Sequence, residues 1–207
     1  MNHFQITNLT LMIVSTILAI KVIKNYFIQN KDYEFILYWG LSFLVTTIVT
    51  NLVLFKSVFI ENLQNKNWEM FTNILFSYAW WLHVYSLFLI LYKHNKKFYK
   101  FFLWILLIIV IPFIQIMFPF HLHFQIVHTF LSIIVIYFAY KFYTYGIFGN
   151  IFYAYLMMGT AELTSLVNSK LIIGSRNPLL GDLSQALMTV GIIYLFWEIF
   201  SYIKEHN

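Results

Sequence analysis

Apolar residues fill most of this chain in seven stretches, separated by short polar segments. A helix needs about 20 mainly apolar residues to cross the hydrocarbon core of a bilayer, and each stretch is roughly that long. Backbone groups in lipid must satisfy one another, which favours helices. The pattern predicts seven spans, at 5–25, 34–56, 69–93, 99–119, 122–144, 149–173 and 181–203.

The composition agrees with a fold whose solvent is lipid. Hydrophobic residues make up 61% of the 207 and charged residues only 10%, and the mean hydropathy is +0.75. A soluble core of this size could not hide that much apolar surface. We therefore predict an all-α polytopic membrane protein, a seven-transmembrane-helix bundle forming one domain over 1–207. The expected location is the bacterial cytoplasmic membrane.

The positive charge is distributed as membrane proteins distribute it. The net charge is +5, but the basic residues lie in short loops, which argues against a nucleic-acid partner. Lysines concentrate in the first, third and fifth loops and at the C-terminus, so the positive-inside rule predicts the N-terminus outside and the C-terminus inside. The strongest cluster, Lys93 to Lys100, is expected to anchor this topology. The alternative is a docking site for anionic lipid or a signalling partner.

The sequence argues against several classes of function. It has no cysteine, which excludes disulfides, thiolate metal sites and cysteine nucleophiles. No phosphate-binding glycine loop, dinucleotide fingerprint or hydrolase spacing occurs, so an enzyme is the least favoured class and no catalytic residue is assigned. Lys21 and Lys24 follow the first span, which is the wrong polarity for a cleaved signal peptide. The last span leaves no room for a soluble output module.

Polar side chains share helix faces in the predicted outer half of the bilayer. At 100° per residue, the third span presents its polar groups within an arc of about 120°, whereas the inner halves of the fourth, fifth and seventh spans are aliphatic and aromatic. This one-sidedness predicts a polar pocket that opens outward over an apolar floor. The alternative is that these groups only join helix to helix. The predicted pocket residues are Asn73, Ser77, Trp80, His83, Gln125, His128, Glu162, Ser165 and Gln185.

Glu162 is the sharpest of these candidates. It lies near the centre of the sixth span, where an ionisable side chain costs roughly 2.5–3.5 kcal/mol or more and marks a functional site by default. Burial favours the protonated form of a carboxyl group. A pair with His83 would form if the third and sixth spans face each other. The alternative is a neutral glutamic acid that bonds to a backbone carbonyl.

The seven histidines raise the question of haem or metal. A b-type haem needs two histidines facing each other at one depth, and residue counting places His128 and His83 at different depths. A zinc site from His121, His123 and Asp182 is the weaker alternative. The last span has no lysine for a retinal Schiff base. The prediction is therefore no metal and no cofactor.

Two further features bear on function. Residues 46–51 and 161–168 are faintly similar and would be equivalent in a parallel-repeat transporter, although chance similarity between such helices is the simpler explanation. Residues 24–26 and 35–44 resemble the first-loop and second-span region of bacterial seven-helix sensor domains, which often precede histidine kinases. The resemblance implies a stand-alone receptor-like domain that acts through a separate partner.

The function favoured by these features is an integral membrane sensor that binds a small molecule from outside. An outer polar pocket over a closed inner half favours sensing, since alternating access needs a route through both halves. The alternatives are a small secondary transporter, proton-coupled through Glu162, and a structural subunit of a larger membrane complex. The predicted partners are the lipid bilayer, a small-molecule ligand and a signalling partner at the Lys93 to Lys100 loop.

Overall fold

The computed structural model describes six ranges of the chain, and within them the regular structure is entirely helical, with no strand. The described residues are 3–28, 34–59, 66–94, 121–146, 150–168 and 177–205. The helices are α1 (His3–Ile28), α2 (Glu34–Phe59), α3 (Lys66–His94), α4 (His121–Thr144), α5 (Ile151–Val167) and α6 (Pro178–Glu205).

These helices confirm the all-α prediction and overlap six of the seven predicted spans. Three segments within them are long and apolar enough to cross a membrane: Gln5–Ile28, Ile36–Lys56 and Pro178–Ser201. The apolar parts Thr129–Thr144 and Ile151–Val167 are shorter. The chain is therefore a helical protein with candidate membrane spans. The predicted fourth span, 99–119, lies outside the described residues.

Helix α5 ends earlier than the predicted span 149–173, and asparagine accounts for the difference. The backbone N–H of Asn168 bonds to the Thr164 carbonyl at 2.9 Å. The Asn168 side-chain oxygen accepts a bond of 2.7 Å from the backbone N–H of Asn177. This polar side chain thus fixes the end of α5 beside the beginning of α6.

The six described helices close into a ring. Each packs on the next along the chain, and α6 packs back on α1. The closure is visible in two contacts: Thr189 donates to the Thr7 hydroxyl at 3.2 Å, and the Lys21 ammonium lies 5.3 Å from the centre of the Phe200 ring. We call the end of the ring that holds the N-terminus of α1 the upper end.

The same contacts give the direction of every helix. At the two contacts between α1 and α6, the residue numbers increase in the same direction along both helices, so these helices are parallel. The α1–α2, α2–α3, α4–α5 and α5–α6 pairs are antiparallel, because residue numbers at successive contacts change in opposite directions. The contacts are Gly40 on Ile23 with Thr47 on Ser15, Trp39 on His83 with Ser42 on Ala79, Gly159 on Ile136 with Phe152 on Tyr140, and Gly191 on Ala154 with Ser184 on Ala161. It follows that α3 and α4 are parallel. Helix α3 ends at the lower end of the ring and α4 begins at the upper end.

Glycines allow the closest approaches between helices. A Cβ added at Gly191 would lie 3.0 Å from the Ala154 carbonyl oxygen and 3.1 Å from the Met158 amide nitrogen, both backbone atoms of α5. Small residues at such crossings bring helix backbones close enough for van der Waals packing, which drives association in lipid. The α5–α6 pair is thereby held in a fixed register.

The outer surface of the ring is apolar. On α4, residues 131, 135, 139 and 142 are buried, and large side chains such as Phe130 and Tyr137 are more than half exposed. On α1, Ile13 and Ile20 are exposed while Leu18 and Val22 are buried. Apolar side chains exposed over a whole surface are unusual for a soluble monomer. Lipid is the solvent that suits this surface.

Candidate ligand cavity

A cavity lies inside the ring, between α1, α2, α3, α5 and α6. The space open to the centre of a water-sized sphere is about 40 Å³, whereas one water needs about 10–15 Å³ on that measure. The cavity therefore has room for a small organic group. Its lining residues are Leu11, Val14, Ser15, Leu18, Ser42, Phe43, Thr46, Phe76, Ala79, Trp80, His83, Met158, Met188, Ile192 and Leu195.

The wall of this cavity is mostly apolar, because its hydroxyl groups are bonded to backbone. Ser15 donates to the Leu11 carbonyl at 2.6 Å, and Thr46 donates to the Ser42 carbonyl at 2.9 Å. Such back-bonding within a helix satisfies a serine or threonine without a partner helix. A ligand in this space therefore meets mainly aliphatic, thioether and aromatic groups.

At the floor of the cavity, three helices meet at His83. Trp39 of α2 donates from Nε1 to His83 Nε2 at 2.9 Å. Ser42 of α2 lies 2.8 Å from His83 Nδ1, and the Tyr155 hydroxyl of α5 lies 2.5 Å from Nε2. Ser42 also donates to the Ala79 carbonyl of α3 at 2.7 Å. The cluster of Trp39, Ser42, His83 and Tyr155 is the His83 network.

The donors around His83 assign its tautomer. The Trp39 indole can only donate, so Nε2 must accept and carries no proton. Nδ1 then carries the proton and donates to the Ser42 oxygen, whose own proton goes to the Ala79 carbonyl. The Tyr155 hydroxyl donates to Nε2. The imidazole is therefore neutral, and a second ring proton would face the Trp39 N–H.

The structure pairs His83 with Tyr155 rather than with Glu162. Helices α3 and α5, the third and sixth predicted spans, do meet across the interior. Glu162 lies about two turns above Tyr155 on α5, at 3.6 residues per turn. Sequence reasoning missed Trp39, Ser42 and Tyr155. The available signal was that a buried Trp N–H or Tyr O–H usually finds a partner.

Of the predicted pocket residues, His83 and Trp80 line the cavity. Trp80 is 5% exposed, and its Nε1 has no hydrogen-bond partner among the described residues. Asn73 lies about two turns above Trp80 on α3. Ser77 is buried and donates to the Asn73 carbonyl at 2.9 Å. The side chains of Gln125 and His128 lie outside the described part of α4.

Glu162 and Gln185 lie side by side above the cavity. Ser184 of α6 donates to the Ala161 carbonyl of α5 at 2.8 Å, which fixes the two positions as neighbours. Along each helix, the residue after the contact position is rotated by 100° about the helix axis. Because the two helices run in opposite directions, Glu162 and Gln185 are rotated toward the same side of the pair. That side is the interior, because it also carries Met158, one turn from Glu162, and Met188, one turn from Gln185.

Both side chains lack partners in the described ranges. Glu162 is half-buried, with no hydrogen bond or ion pair to any described residue. The Gln185 side-chain oxygen is buried and also unbonded. Ser165 lies one turn above Glu162 and is half-buried. The interior directly above the cavity lining therefore carries acceptor oxygens that no described donor satisfies.

No group of three or more His, Cys, Asp or Glu that could hold a metal ion gathers within the described ranges. His121 and His123, which were considered as zinc ligands, lie on α4, and their side chains are not among those described. Comparison with protein families, curated proteins and solved structures finds no match to this chain.

Proposed function

We propose that this chain is an integral membrane sensor that binds a small ligand in the central cavity and relays binding to a separate partner. The observation that carries the proposal is an apolar cavity lined by five helices, with the His83 network at its floor. Ligand pockets are concave, mostly apolar spaces with a few placed polar groups. Below the cavity, Val22, Tyr155 and Ile199 are at most 2% exposed.

The ligand is small and weakly polar, in keeping with the wall that it meets. Its apolar part contacts Met158, Met188 and Phe76, and an acceptor atom would satisfy the Trp80 N–H. A buried donor left without a partner costs about 1–3 kcal/mol, so satisfying it favours binding. Helices α1, α2, α3, α5 and α6 all line the site, so a ligand can bias how they pack.

The proposal includes a topology of seven helices with the upper end of the ring outside the cell. It also includes a location in the bacterial cytoplasmic membrane. Helix α3 ends at the lower end and α4 begins at the upper end, which supports the proposal that a further span connects them. The apolar stretch 99–119 is long enough to do so as a helix. The Lys93 to Lys100 segment would then be cytoplasmic, where an acidic signalling partner could dock.

This topology predicts where an introduced cysteine can be labelled. Lys96→Cys should react with a membrane-impermeant maleimide only after the membrane is opened, because the basic loop is inside. Asn65→Cys, in the loop between α2 and α3, should react in intact cells. The chain has no native cysteine, so the signal is specific. Labelling of Lys96→Cys in intact cells would contradict the orientation.

Ligand binding itself can be tested with n-butanol as a probe, followed by tryptophan fluorescence and thermal unfolding in lipid nanodiscs. We expect saturable quenching and stabilisation by about 2.7 kcal/mol when the probe is at a hundred times its Kd. Val14→Phe should abolish both effects by filling the cavity. Ile13→Phe, the adjacent residue on the lipid side, is the matched control and should retain them. An unchanged response in Val14→Phe would refute the cavity as the site.

A proton-coupled transporter is the second candidate, favoured by Glu162, which is half-buried and has no partner in the described part of the chain. Such a transporter must expose this carboxyl to each side of the membrane in turn. A structural subunit of a larger complex would show neither binding nor uptake. Uptake of a solute into liposomes, driven by an imposed pH gradient and abolished by Glu162→Gln, would overturn the sensor proposal in favour of transport.

A further inference from the structure

The interior above the cavity presents an unusual combination of groups. Glu162 and Gln185 offer three side-chain oxygens to the same space, and no described donor bonds to the Glu162 carboxyl or to the Gln185 oxygen. Directly below them lie the indole of Trp80 and the thioethers of Met158 and Met188, and Phe76 lies on α3 at about the depth of Glu162. The upper part thus accepts hydrogen bonds, and the lower part accepts an apolar group.

From this juxtaposition we infer that the ligand is a small monoamine with a short apolar tail. The inference rests on the proposed function, since it assigns the ligand class of the same cavity. The ammonium group lies between Glu162 and Gln185, and the tail enters the apolar space next to Trp80. An ammonium group has three donors and no acceptor, which complements a set of oxygens.

Electrostatics favours the same ligand class. An unpaired carboxylate inside a membrane protein is costly, and so is an isolated ammonium group. A carboxylate and an ammonium in contact carry no net charge, so together they avoid part of that cost. The bond between them is charge-assisted and stronger than a neutral one. Aromatic faces such as that of Trp80 add attraction for a cation.

Gln185 makes the site selective for an ammonium group over a metal cation and over protonation of Glu162 alone. Its side-chain oxygen is buried and unbonded among the described residues, and its position on α6 neighbours that of Glu162 on α5, so a donor that bridges the two side chains satisfies both. A proton on Glu162 satisfies at most the carboxyl. A secondary or primary ammonium has enough N–H groups to reach both residues.

The test compares two probes of similar size, n-butylammonium and n-butanol, in fluorescence titrations of the purified full chain at pH 7. The native chain should bind the amine at least about tenfold more tightly than the alcohol, the effect of one charge-assisted bond. Glu162→Gln should remove most of that preference, because loss of the charge lowers the affinity for the amine far more than the affinity for the alcohol. Gln185→Leu should weaken amine binding several-fold.

Glu198→Gln is the control for loss of a carboxyl group. Glu198 lies on the lower part of α6 and is not among the residues that line the cavity. This variant should keep the full preference for the amine. Alcohol binding reports that each variant is folded. Equal affinities of the native chain for amine and alcohol would overturn the amine inference and leave the proposed cavity standing. If neither probe binds, the proposed function fails as well, and the inference falls with it.

Discussion

Replacement of His83 by leucine is expected to lower the free energy of unfolding by about 2–5 kcal/mol. The imidazole is the acceptor for Trp39 and Tyr155 and the partner of Ser42, across three helices. Leucine fills similar space but leaves buried donors without acceptors, at about 1–3 kcal/mol for each lost partner. The measurement is thermal or denaturant-induced unfolding of purified protein in mild detergent, followed by intrinsic fluorescence.

Two further variants make this prediction specific. Ser86→Ala removes a buried hydroxyl one turn away whose partner among the described residues is the His83 carbonyl of its own helix, so it should cost at most about 1 kcal/mol. Trp39→Phe should cost less than His83→Leu, because Nε2 keeps Tyr155. If His83→Leu is no more destabilising than Ser86→Ala, then the His83 network does not hold these three helices together.

The positions of the described helices could be predicted because bilayer thickness imposes one length on every span. Hydropathy alone located α1, α2 and α6 within a few residues. The end of α5 could not be predicted in the same way. Asn168 is a single polar residue in an apolar stretch, and its bond to the backbone of Asn177 forms only when α6 packs beside α5.

Which face of each helix points inward was much harder to predict. In water, polarity marks the outer face, but in lipid both the interior and the exterior are apolar. Ile13 and Val14 are nearly equivalent in chemistry, yet Ile13 is 48% exposed and Val14 lines the cavity. Close packing between helices, as at Gly40 against Ile23 of α1, determines which face points inward, and hydropathy does not record it.

The chemistry of the cavity differs from the predicted polar pocket for a related reason. Counting polar residues by depth treats every hydroxyl as available to a ligand, whereas Thr46 and Ser77 each donate to a carbonyl of their own helix. His83 was recognisable from its depth on a polar face. Its partners Trp39 and Tyr155 are 44 and 72 residues away in sequence, and only the helix arrangement brings them to it.

The central claim is that the described helices close into a ring around one cavity, and the α1–α6 contact is what closes it. Thr7 and Thr189 have hydroxyl oxygens 3.2 Å apart, which brings their Cβ atoms near the roughly 3.5–4.5 Å that a disulfide needs. The double variant Thr7→Cys/Thr189→Cys should therefore form a disulfide within one chain on mild oxidation. Since the native chain has no cysteine, no other disulfide can form within it.

The most direct measurement is the loss of both thiols to a maleimide reagent after oxidation in the membrane, with mass spectrometry of the linked peptides. We expect near-complete loss in Thr7→Cys/Thr189→Cys, without a covalent dimer. The matched pair is Thr7→Cys/Thr160→Cys, because Thr160 lies at a similar depth but is exposed on the outside of α5; it should keep both thiols. Free thiols in the first pair, or equal crosslinking in the two pairs, would contradict a closed ring.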